Sequence, residues 1–157
     1  MTMLHRFHDD LSLRVDDSDG RTVFGVAVPY DTPARIRDLQ GEYLETFVRG
    51  SFAKTISEHG QRVKLLAHHD RQQLLGGRPE LWEESDGLHI AARIAATRDG
   101  DDILALVREG ALDAFSIGFS PIASGDDWSS DRSAVVRREV RLHEVSLVPF
   151  PAYDAAV

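Results

Sequence analysis

The sequence contains no cysteine among its 157 residues. That excludes disulfides, thiolate zinc sites and a cysteine nucleophile, and it suits a reducing compartment. It also lacks any apolar run near the roughly 18 residues of a membrane helix. The opening MTMLHRFHDD has no signal-peptide apolar core, so no membrane partner is expected. A cationic excess is missing too. Lys plus Arg number 18 against 26 Asp plus Glu, a net charge of −8. A face that coats nucleic acid needs the opposite sign, so no nucleic-acid partner is expected either. There is no internal repeat and no low-complexity block. The GxxxxGK[ST] phosphate loop, the HExxH zinc signature and the EF-hand loop are absent.

What is present is an ordinary globular balance, 42% apolar and 28% charged. A chain of this length fits one domain and can bury roughly two-thirds of its unfolded surface. The expectation is a single domain over 1–157 with its core at about 11–153.

Glycine and proline punctuate short runs. LSLRV (11–15) and TVFGVAV (22–28) flank DDSDG, whose Asp-Gly end predicts a hairpin. Residues 29–42, with two prolines and many charges, predict an exposed loop, and EYLETFV (42–48) a strand. Ser51 and Asp101 stand as N-caps of two short helices, SFAKTISEH and DDILALVRE, stopped by Gly60 and Gly110. VKLLAHH (63–69), LHIAARIA (88–95), AFSIGFS (114–120) and VVRREVRLHEVSLV (135–148) read as strands. Many short strands with few helices predict a mainly β fold (α+β), a closed or partly closed barrel of about seven strands surrounded by helices.

Three positions could carry chemistry. Ser116 shares its strand face with Ala114, Gly118 and Ser120, opposite Phe115, Ile117 and Phe119. Small neighbours leave the room beside a hydroxyl that a nucleophile needs, although a solvent-facing strand of small residues gives the same pattern. No G-x-S-x-G elbow surrounds it. His69 falls by strand parity with Val63, Leu65 and Ala67 on the apolar side, where a ring is oriented and partly desolvated as a general base must be; a satisfied strand-end histidine fits too. Adjacent His68 points to the other face, which weakens a shared metal site. Glu144 falls by parity with Val140, Leu142, Ser146 and Val148. A carboxylate there needs a partner, either a histidine or one of Arg137, Arg138 and Arg141. A hairpin centred near 129.5 puts residue 143 opposite Ser116, and a one-residue shift puts Glu144 there. Serine and glutamate on neighbouring strands could hold a histidine between them, in the chain order His, Ser, Glu. His143 is a competing base.

These motifs resemble the prohead (capsid maturation) serine proteases of tailed bacteriophages, a family related to herpesvirus assemblins. GVAVPYDTP followed by GEYLETFVRGSFAKTI is similar to the family's opening, with Glu45, Gly50, Ser51 and Phe52 in the E-x(4)-G-A-F box and serine in place of alanine. LLAHHD resembles the L-x-x-H-D box and aligns His69. EGALDAFSIGF aligns the nucleophile with Ser116, and RLHEVSLVPFPAYDAA aligns the third residue with Glu144. The resemblance implies a seven-stranded barrel and a Ser-His-Glu endopeptidase, active inside assembling proheads in the host cytoplasm and calling for no metal or organic cofactor. It implies as partners the major capsid protein and its scaffolding segment as substrates, and other copies of the chain through autolysis and a homo-oligomer. Oxyanion donors are expected among backbone N–H groups near the Ser116 strand and an arginine of 137–141. Two other readings stand beside it: a catalytically silent protease-fold packing module, and a metal hydrolase built on His69, Asp70, His143 and Glu144.

Overall fold

The computed structural model describes residues 4–7 and 13–149. Its first half runs β1 (Leu4–Phe7), β2 (Arg14–Val15), β3 (Thr22–Pro29), β4 (Ala34–Asp38), β5 (Gly41–Phe47), α1 (Ala53–His59), β6 (Lys64–Ala67) and β7 (Asp70–Gly77). The second half runs β8 (Glu80–Glu83), β9 (Gly87–Arg93), α2 (Arg98–Arg108), β10 (Ala114–Pro121), β11 (Asp126–Trp128), β12 (Ala134–Arg137) and β13 (Val140–Val148). The strands pair into three sheets, in the orders β1-β10-β13-β6-β7, β11-β12-β5-β4 and β2-β3-β9-β8.

The mainly β reading with short helices holds; the closed or partly closed barrel of about seven strands does not, since the strands form three sheets. Among the described residues no sheet's pairing returns to its own first strand. Sheets one and three instead lean together around a shared core. At their contact a Cβ on Gly76 would lie 2.6 Å from the Arg93 carbonyl oxygen, and the Ala95 N–H donates to Leu75 O at 2.8 Å. One close approach replaces a continuous ladder. The alternating apolar residues of the paired strands fill the space between: Phe47, Leu65, Leu75, Leu88, Ile90, Phe115, Ile117, Phe119 and Leu147 are fully buried. Helix α2 lays Ile103, Leu104 and Val107 into the same cluster.

Local expectations fared unevenly. The Asp-Gly turn forms: Gly20 has φ +67°, its N–H donates to Asp16 O at 2.8 Å, and β2 pairs with β3. Leu11 and Ser12 of that first run lie outside the described residues. The expected loop at 29–42 contains β4, a hairpin partner of β5. Its charges are those of an edge strand, and its alternate residue Ile36 packs with Tyr43 and Val135 in a small separate core. Helix α1 begins without a side-chain cap, because the Ser51 hydroxyl is used elsewhere. It accepts the Val48 N–H at 3.0 Å and lies 2.6 Å from Arg137 O, which pins the β5–α1 turn to the end of β12. Gly60 is the C-cap at which α1 ends, but its backbone is right-handed and leads straight into a 3-10 turn. Helix α2 is capped by the Thr97 side chain, which accepts the Gly100 N–H at 2.9 Å, and Gly110 stops it at φ +79°. The long run 135–148 is two strands. β12 lies in the second sheet, parallel to β5, and β13 in the first.

Candidate active site

Ser116 lies in the middle of β10, between β1 and β13. Its neighbours Phe115, Ile117 and Phe119 enter the main core, so its own face points away from that core. That face is nevertheless covered: Ser116 is 1% exposed, which overturns a solvent-facing strand.

His69 reaches this face through a turn. β6 ends at Ala67 and β7 begins at Asp70, so His68 and His69 are a two-residue hairpin loop. Both have φ +57°, the positive values that a type I′ turn requires at its two central positions. Such turns favour Asn-Gly, and two histidines there cost about 1–2 kcal/mol each relative to ordinary backbone. The His68 N–H donates to Leu147 O at 3.1 Å and the His69 N–H to Ser146 Oγ at 3.1 Å, which holds the turn against β13. Strand parity therefore fails at His69. The ring leaves the core side of Leu65 and Ala67, while His68 faces solvent.

Glu144 arrives by a different irregularity. Gly118 lies opposite Glu144, but the next residue Phe119 lies opposite Leu142, so His143 is an extra residue in β13. A β-bulge of this kind flips the side-chain alternation. Val140 and Leu142 before it face the core, as do Val145 and Leu147 after it, and Glu144 takes the outer face with Ser146. The expected parity with Val140 and Leu142 is thus wrong. So is the hairpin register, since Ser146, not residue 143, lies opposite Ser116. The cause is the excursion of β11 and β12, which occupies the segment read as a single turn.

These devices bring His69, Ser116 and Glu144 into hydrogen-bond contact. His69 Nε2 is 2.7 Å from Ser116 Oγ, and His69 Nδ1 is 2.5 Å from Glu144 Oε1. Gly118, opposite Glu144, puts no side chain between them. The carboxylate is 4% exposed and would be costly to bury alone. It is met by the imidazole and by the Ser146 hydroxyl, which donates to Oε2 at 2.7 Å. Arg137 is engaged elsewhere, with Nε 2.9 Å from Glu45 Oε2 and an Nη 2.6 Å from Asp126 Oδ2 in a buried network. Arg138 lies 3.4 Å from Asp127.

The remaining candidates separate. His143 Nε2 pairs with Ser120 Oγ at 2.7 Å; burial, and then the Arg141 guanidinium, hold its pKa below the ordinary histidine value. Asp70 is exposed, and its carboxylate accepts the Gln72 N–H. His69, Asp70, His143 and Glu144 do not gather as a ligand set. The group of three ligand-bearing side chains that does gather among the described residues is Glu84, Asp86 and His89, partly exposed at the β8–β9 turn. Sequence reasoning missed Ser146 as a partner, although its place two residues beyond Glu144 on one strand put both on one face.

A nucleophile-sized hydroxyl, a ring nitrogen able to take its proton and a carboxylate behind the ring are the elements of a serine hydrolase. The sequence matches the Caudovirus prohead serine protease family over residues 9–157, and the chain belongs to that family. It is a serine protease of phage capsid maturation. Among solved structures it is similar to the capsid assembly protease gp21 of bacteriophage T4, with a TM-score of 0.60 at 15% identity over 94% of this chain and 97% of that one. That likeness is one of fold. No curated protein sequence matches it.

Proposed function

We propose that His69, Ser116 and Glu144 form the Ser-His-Glu triad of this protease. Its substrates are the scaffolding segment of the major capsid protein and the protease chain itself, cleaved within the prohead. The observation that carries the reading is the single imidazole bonded through Nε2 to Ser116 and through Nδ1 to Glu144. His69 Nε2 accepts the Ser116 proton as Oγ attacks the scissile carbonyl carbon. Glu144 holds Nδ1–H and balances the imidazolium charge. The imidazolium then protonates the leaving amine, the acyl-enzyme forms, and a water deprotonated by His69 releases the acid.

The test is coexpression with the capsid precursor and N-terminal sequencing of the products, alongside a fluorophosphonate probe read by mass spectrometry. Wild type should cleave the precursor and carry one adduct on Ser116. Ser116→Ala should do neither while keeping the native circular dichroism. Precursor processing by Ser116→Ala at the wild-type rate would overturn the assignment, and a folded wild type with no adduct would favour a silent packing module.

A further inference from the structure

The turn that carries His69 and the strand that carries Glu144 share one atom, the hydroxyl oxygen of Ser146. Ser146 is wholly buried. Its single proton goes to Glu144 Oε2 at 2.7 Å, and a lone pair accepts the His69 backbone N–H at 3.1 Å. The hydroxyl therefore fixes both ends of the His69–Glu144 contact. It holds the carboxylate plane so that Oε1 meets Nδ1, and it holds the left-handed backbone from which the imidazole projects.

We propose that Ser146 is a positioning residue for the proteolytic reaction, acting through Glu144 and His69 and never on the substrate. This rests on the triad reading above. Directly opposite Ser116 on the paired strand, Ser146 belongs to the same face. Its own oxygen is committed to the turn and the carboxylate, which separates it from the nucleophile. Without it, Glu144 keeps its charge but loses the hydroxyl donor on Oε2, and the His69 N–H loses its bond to the Ser146 oxygen.

A double-mutant cycle separates this role from a structural one. The rate of Ser116 phosphonylation by a fluorophosphonate would be measured for wild type, Ser146→Ala, Glu144→Gln and the double variant. Ser146→Ala is expected to slow labelling about 10- to 100-fold, the range for losing a hydrogen bond to a charged group. In the Glu144→Gln background the same change should cost clearly less, because of the two bonds only the one to the His69 N–H still supports the ring. On the phosphonylated enzyme, the far-downfield Nδ1–H proton resonance of His69 should broaden or move upfield in Ser146→Ala. Equal multiplicative losses in both backgrounds, with that resonance unmoved, would overturn the proposal. So would Ser146→Ala labelling at the wild-type rate while wild type is labelled normally. A wild type that is never labelled at Ser116 fails the triad reading itself. If Ser146→Ala does not fold, wild type alone decides: a slowly exchanging Ser146 hydroxyl proton with an Overhauser contact to the Glu144 side chain is expected, and its absence refutes the clamp.

Discussion

Replacing Glu144 by glutamine keeps the side chain's shape and removes its charge, and the surrounding bonds determine how the amide sits. In the native site one carboxylate oxygen faces His69 Nδ1 at 2.5 Å and the other accepts the Ser146 hydroxyl at 2.7 Å. A carboxamide has one accepting end and one donating end. With its oxygen toward His69, its NH2 meets Ser146, whose buried hydroxyl proton loses its acceptor at about 1–3 kcal/mol. Turned round, it satisfies Ser146 but donates to Nδ1. The imidazole must then carry its own proton on Nε2, the atom 2.7 Å from Ser116 Oγ. That arrangement wins, and it holds the base in the tautomer that cannot accept the serine proton. The counter-charge for the imidazolium is gone as well. Losses of this kind are about 10⁴-fold, or roughly 5.5 kcal/mol of barrier. The assay is the second-order rate of Ser116 phosphonylation, with denaturant unfolding as a control for the fold. Glu144→Gln should lose about four decades, and Ser116→Ala should give no adduct. A Glu144→Gln rate within tenfold of wild type would show that some other group orients the ring.

Arg137 is buried between Glu45 and Asp126, so Arg137→Met should remove the cation that faces both carboxylates and destabilise the protein by about 3–5 kcal/mol in urea unfolding; a loss below about 1 kcal/mol would refute the role. His143 adds a pH dependence. Burial, with Arg141 next and Glu144 opposing, lowers its folded pKa, so on acidification the unfolded chain takes up this proton first. Its contribution to stability is complete above pH of about 6.5 and is lost as the pH falls below that value. His143→Gln should flatten the slope of stability against pH in that window, by less than the single-proton ceiling of about 1.4 kcal/mol per pH unit because the ring is partly exposed and screened. Parallel slopes for the two proteins would refute it.

Alternation identified most of the core. Phe115, Ile117 and Phe119 recur with period two and are buried, as are Leu88 and Ile90, because side-chain direction in a regular strand follows from position alone. The apolar face of α2 was legible for the same reason at helical period. Strand pairing was not. β12 runs parallel beside β5, a partner some ninety residues earlier in the chain (Ala134 opposite Leu44), and nothing local marks such a pairing. β4 was hidden by its charges, because the burial of Ile36 and Tyr43 depends on Val135, which arrives only in the folded chain. Ser51 read as a helix cap because its residue type suits one; its hydroxyl is drawn instead to the Val48 and Arg137 backbone of other elements.

The candidate site shows how three residues singled out in the sequence can meet in space although the geometry expected for them is partly incorrect. Regular parity puts His69 with Leu65 and Ala67, and Glu144 with Val140 and Leu142, all of which face the main core. Ser116 faces away from that core. On ideal strands the three side chains would lie on opposite sides of one sheet and could share no proton. Two local departures reconcile them: the left-handed pair His68–His69 at the end of β6, and the extra residue His143 within β13. Each is unfavourable taken alone, the turn by about 1–2 kcal/mol per residue and the bulge by an interrupted ladder. Each persists because neighbouring groups fix it, through Leu147 O and Ser146 Oγ for the turn and Ser120 Oγ for the His143 ring. Neither leaves a mark in hydrophobic pattern, since a bulge needs no special residue and the turn here has no glycine. The residue types that do chemistry were visible because few types can do it. Their convergence was not, because it depends on the two places where the strands stop being regular.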